Sequence, residues 1–70
     1  MQMTGKDIRK FRRDLDLSQA KFAELTGYTK EHICRIEGGR YNPPMSAMVL
    51  FYLLRECPEA LAIARERAGV

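Results

Sequence analysis

Apolar positions in this chain recur at spacings of three and four almost from its start. Ile8, Phe11 and Leu15 make one such stripe, with Arg9, Arg12 and Arg13 falling off it, which is the signature of a helix buried on one face. Thr4 stands where it caps that helix, and Asp7 three residues on completes a capping box with a shorter acid than usual. After a connection over Asp14–Leu17, Ser18 caps a second helix, "QAKFAELTG". Its inner face is Phe22, Ala23 and Thr26, with Leu25 alongside, and Gly27 stops it because glycine takes positive φ without strain. Thr29 caps a third helix over about Lys30 to Glu37, which buries Ile33 and Ile36 and ends at Gly38-Gly39. The loop "RYNPP" follows. Pro44 suits the first turn of a fourth helix over 45–56, and Pro58 opens a fifth over 58–68. There is no alternating β pattern, internal repeat or low-complexity stretch. The expectation is an all-α fold of five short helices in one domain, residues 1–70.

The second and third helices, joined by a tight glycine turn over residues 18–38, have the makings of a helix-turn-helix. Two helices crossing steeply need a small residue at their closest approach, positive φ in the turn and apolar residues that lock the pair. Ala23, Gly27, and the trio Phe22, Ile33 and Ile36 supply these in turn. With the isoleucines committed inward, Thr29, Lys30, Glu31, Cys34 and Arg35 form an outward ridge of the width of a B-DNA major groove.

Charge sharpens this picture. Residues 1–44 hold nine Lys/Arg against six Asp/Glu, whereas residues 45–70 hold three of each. The whole excess of +3 therefore belongs to the half that carries the motif, which suggests one surface for a polyanion and another for a protein. Other chemistry is sparse. Cys34 and Cys57 form no metal spacing, and His32 is the single histidine, too few for an ordinary zinc site. No metal or cofactor is expected. A reduced cytoplasmic setting is expected too, with nucleoid association through DNA, since no leader pattern opens the chain. The longest apolar run, Ala47 to Leu54, is eight residues, far short of the ~20 that span a bilayer. No nucleophile–base pair or glycine-rich phosphate loop is present, so enzyme action is a poor fit, and no small-molecule effector pocket is evident.

The stretch "LSQAKFAELTGYTKEHICRIEGGR", Leu17 to Arg40, resembles the phage-repressor, Cro and Xre-like helix-turn-helix family without a gap, and the likeness extends over residues 4–44. Thr26 and Tyr28 depart from it, standing where aliphatic residues are usual. The C-terminal "LFYLLRECPEALA" also looks like the tail of small antitoxins, and short anti-CRISPR-associated autoregulators are a candidate subclass. The resemblance implies a lambda-repressor-like DNA-binding domain. It places Thr29, Lys30, Glu31 and Arg35 at base-reading positions, with Arg35 suited to guanine and Glu31 to cytosine. It places Gln19, Arg40, Tyr41 and Asn42 against phosphates, with His32 beside them, and it implies that Arg12 and Glu37 form a structural ion pair. Plainer readings stand beside these. Glu31 and Arg35 are i,i+4 neighbours that can pair with each other on a solvated face, His32 can make a backbone contact or be simply exposed, and Cys34 can be a bystander thiol.

The fourth helix, "AMVLFYLL", is apolar all round. Leu50, Phe51 and Leu54 are expected to close the core over the first helix, leaving Met48, Val49 and Tyr52 to be covered by Leu61 and Ala64 and then by a second copy. A helix wholly internal to the monomer is the plainer alternative. The sequence therefore points to a homodimeric repressor of an inverted-repeat operator on double-stranded DNA. The alternative is an antitoxin-like module that binds a toxin protein and autoregulates its operon.

Overall fold

The computed structural model describes residues 3–70. They form five helices and no strand: α1 (Gly5–Asp14), α2 (Gln19–Thr26), α3 (Lys30–Glu37), α4 (Met45–Glu56) and α5 (Pro58–Ala68). The caps lie where the polar residues place them. Thr4 and Asp7 make a reciprocal capping box. Ser18 Oγ accepts from the Lys21 N–H at 3.1 Å and Thr29 Oγ1 from the His32 N–H at 3.1 Å. Each side chain meets an amide that the first turn leaves without an intrahelical partner.

Gly27 ends α2 at φ 83°, left-handed backbone that a side chain would strain. Two backbone N–H groups, those of Gly27 and Tyr28, return to the Ala23 carbonyl and close the turn tightly. Gly5 serves a different purpose. A Cβ there would press into the backbone carbonyl oxygen of Ile36, so glycine lets the start of α1 lie directly on the end of α3.

The core is built from Ile8 and Phe11 of α1, Phe22, Ala23 and Leu25 of α2, Ile33 and Ile36 of α3, and Ala47, Phe51 and Leu54 of α4, with Met3 over one end. Three aromatic rings tie it together. Phe22 meets Phe11 edge-on at 5.9 Å and stacks on Phe51 at 5.9 Å, both favourable ring geometries. Buried Thr26 satisfies its hydroxyl by donating to the Phe22 carbonyl oxygen at 2.9 Å, so the polar residue at an aliphatic position costs no unpaired group. Tyr28, the other unusual residue of the turn, packs its ring on Phe51 at 5.8 Å.

The inner face of α4 is turned from the one expected. Ala47, Phe51 and Leu54 are buried, Leu50 is half-buried, and Met48 and Tyr52 lie partly buried against the core. Ala47 and Phe51 are both fully buried and centre the inner face, which leaves Leu50 at its edge. The outward stripe is Met45, Val49 and Leu53, which are 68%, 37% and 49% exposed. α5 packs on α4 and α2, with Leu61 and Ala64 turned towards the core and Ile63 left 68% exposed.

Candidate nucleic-acid interface

α3 is held by its two fully or almost fully buried isoleucines, Ile33 and Ile36. The remaining positions of its outer flank, Thr29, Lys30, Glu31, Cys34 and Arg35, are all exposed. Glu31 and Arg35 form no ion pair with each other, so their polar groups are free to meet a ligand. Thr29 has a second duty, since its oxygen caps the helix. That leaves its hydroxyl proton available to an acceptor outside.

The loop after α3 is aligned by an aromatic string. His32 lies between Tyr28, at 4.8 Å, and Tyr41, at 5.0 Å, with both contacts edge-to-face. Tyr41 is thereby fixed beside α3, and Arg40 and Asn42, the residues flanking it, are exposed. His32 is itself half-buried, so its ring braces the loop against α3. On the other side of this loop a cleft of about 380 Å³ opens between Met3, Thr4, Ile36, Tyr41, Asn42 and Met48. Among the described residues no charged side chain lines it, and its walls come from three separate segments that the sequence does not place together.

Beneath the reading ridge, Glu37 gathers α1, α2 and α3 at one point. Its side chain is fully buried. Arg12 grips it with both ends of the guanidinium fork, Nε to Oε2 at 2.6 Å and Nη2 to Oε1 at 2.9 Å, and donates Nη1 to the Leu17 carbonyl oxygen at 2.9 Å. Gln19 Nε2 donates to Oε1 at 3.2 Å, and Arg9 approaches the same oxygen at 3.5 Å. Burial pushes the carboxyl pKa up. The hydrogen bonds from Arg12 and Gln19, the Arg12 charge and the Arg9 contact together outweigh it and hold the group below its ordinary value. The same bond raises Arg12.

Sequence reasoning pairs Arg12 with Glu37 but leaves Arg9 and Gln19 off the site. The signal was in the spacing: Arg9 precedes Arg12 by three residues, one turn along the same flank. Gln19, expected against phosphate, is half-buried at the first position of α2, beside amide groups that favour an anion. Of the residues expected at a subunit interface, Val49 is exposed, whereas Met48, Tyr52, Leu61 and Ala64 are half-buried on the chain's own core. Arg55 covers the Tyr52 ring at 5.6 Å. Among the described residues no cluster of three His, Cys, Asp or Glu side chains could hold a metal ion, and no helix is long and apolar enough to cross a membrane.

A short helix locked by two isoleucines behind a tight glycine turn, with its polar flank outward, defines the helix-turn-helix class. The chain belongs to the family described as the antitoxin component of bacterial toxin–antitoxin systems, MqsA, whose profile matches residues 1–65. It is also similar to an uncharacterized HTH-type transcriptional regulator of Methanothermobacter thermautotrophicus (strain Delta H), 42% identical over 38 residues, which is 54% of this chain and 55% of that protein. The alignment thus spans about half the length of the relative. No solved structure matches the chain. The family and the relative support a helix-turn-helix regulator of antitoxin type; neither names the phage repressors or Cro, which the motif also resembles.

Proposed function

We propose that this chain is a sequence-specific regulator of transcription that inserts α3 into the major groove of duplex DNA, acting as a homodimeric repressor of an inverted-repeat operator. The observation that carries this reading is the exposure of Lys30, Glu31 and Arg35 on a helix whose other face is locked into the core. Thr29, Lys30, Glu31 and Arg35 read base edges. Gln19 at the start of α2, and Arg40, Tyr41 and Asn42 after α3, grip the phosphates on either side, with His32 behind them. A dimer that neutralises about four phosphates per protomer would lose affinity with salt at a log–log slope near −7. Selection of bound duplexes from a random pool tests the reading: a recovered motif with two-fold symmetry supports it, and the absence of any enriched motif rejects it.

The dimer is assigned to the uncovered α4 stripe around Val49, flanked by Met45 and Leu53 and continued by Ile63 of α5, with Met48, Tyr52, Leu61 and Ala64 as its floor. A charge placed within an apolar interface is strongly unfavourable. Leu53→Glu is therefore expected to give a monomer by light scattering under conditions where the unaltered protein is a dimer, with unchanged helical content. An unaltered protein that is already monomeric would remove the dimer from this reading.

Membership of the antitoxin family favours a second reading, in which the same apolar stripe covers a toxin protein and DNA binding serves autoregulation. A toxin-sized reading frame beside this gene, and a stable complex of the two products in which Leu53→Glu fails to join, would select it.

A further inference from the structure

The outer face of α1 is a second cationic surface that the reading above leaves unused. Lys6, Arg9, Lys10 and Arg13 are all exposed and, together with Asp14, line one shallow depression. Their spacing of three and four residues keeps them on one face over roughly 10 Å of helix axis, a span in which a duplex presents about six phosphates. Local acids engage two of these four cations, Arg9 through Glu37 and Lys10 through Asp14, and leave the other two open. Asp7 is turned into the capping box, where it accepts from the Thr4 N–H at 2.9 Å. Lys10 is paired with Asp14 at 2.9 Å. Lys6 and Arg13 meet no carboxylate among the described residues.

This face is joined to the proposed groove-binding surface through Glu37. Its Oε1 takes the Gln19 amide at 3.2 Å and the Arg9 guanidinium at 3.5 Å, so the basic face of α1 begins one side chain away from the start of α2. An acidic protein would need no such continuity, whereas a phosphate backbone passing Gln19 does.

We propose that Lys6, Arg9, Lys10 and Arg13 form an auxiliary track for the sugar–phosphate backbone of the duplex bound by α3, holding the strand beyond the point where Gln19 meets it. The proposal rests on α3 binding duplex DNA. Contacts of this kind carry no sequence information, so the track raises affinity for all duplexes and lets the chain hold DNA while it searches.

The test is a salt series with the full chain on a short duplex of mixed sequence and on a duplex carrying the selected motif. Lys6→Gln/Arg13→Gln removes two cations that form no ion pair among the described residues, and its thermal melt should match that of the parent. Loss of two phosphate contacts reduces the steepness of the log–log salt dependence by about 1.8 per protomer, with the same fold-loss on both duplexes. Arg67→Gln, which removes an exposed cation from α5, should leave the slope unchanged. If the parent binds both duplexes and the double variant keeps its slope, the track is overturned while DNA binding stands. Unchanged slope with weakened binding to poly-L-glutamate assigns the face to an acidic protein and overturns the proposal equally. A parent that binds neither duplex overturns the DNA reading and the track with it.

Discussion

Arg12→Ala is expected to lower the unfolding free energy by about 3–5 kcal/mol, because it leaves a buried carboxylate without its principal partner. A chain of this size has a total stability of roughly 4–10 kcal/mol at the usual value per residue, so the variant should be marginal at room temperature. The geometry accounts for the size of the effect. Glu37 has no exposed side-chain surface, and Gln19 and Arg9 approach only one of its oxygens, Oε1. The second oxygen depends on Arg12 Nε. Urea unfolding followed by circular dichroism measures the loss, and a cost below about 1 kcal/mol, the usual range of an exposed pair, would mean that water reaches the carboxylate.

Replacing both partners separates the charge from the packing. Arg12→Met with Glu37→Leu removes the stranded ion and should recover most of the stability, since well-packed apolar substitutes for a buried pair are often neutral or better. Acidity gives a further check. A carboxyl whose pKa is lowered in the folded state contributes stability above its unfolded value, and that contribution disappears as pH falls through the folded one. For Glu37 the contribution is complete above the ordinary value of 4.5 and fades below it. The double variant should therefore be less acid-sensitive than the parent.

Most of the helical framework was legible in the sequence because several of its ends are set by local devices. Thr4, Ser18 and Thr29 begin three helices with their own hydroxyls, and Gly27 ends one with backbone that other residues adopt only under strain. These signals act within four residues and need no tertiary context. The orientation of α4 was harder to read. In a helix apolar on every side the pattern has no minimum, and the small Ala47, rather than the larger Leu50, turned out to face the core. For the same reason the uncovered stripe of Met45, Val49 and Leu53 could not be told from its neighbours. The four-way meeting at Glu37 was half visible: a long-range pair is suggested by matching charges, but the added partners Arg9 and Gln19 depend on how α1 lies across α2 and α3. The edge contacts of His32 with Tyr28 and Tyr41 likewise join a turn, a helix and a loop that no periodicity connects.

Lys30→Ala combined with Arg35→Ala is expected to abolish preference for the operator while leaving the fold intact. Both side chains are exposed and make no ion pair among the described residues, so their removal should change stability by no more than about 0.5 kcal/mol. A good base contact is worth roughly 1–3 kcal/mol of discrimination. Two of them correspond to a loss of roughly 30- to 25,000-fold per half-site in operator affinity relative to mixed-sequence DNA. Gln19→Ala and Arg40→Ala should behave differently, weakening operator and mixed DNA by the same factor, because phosphates are alike at every position. Parallel binding titrations of the three variants on both duplexes at one salt concentration distinguish these roles. Should the Lys30/Arg35 variant lose affinity equally on the two DNAs, both residues belong to the phosphate-gripping set, and sequence reading must fall to Thr29 and Glu31 at the start of α3.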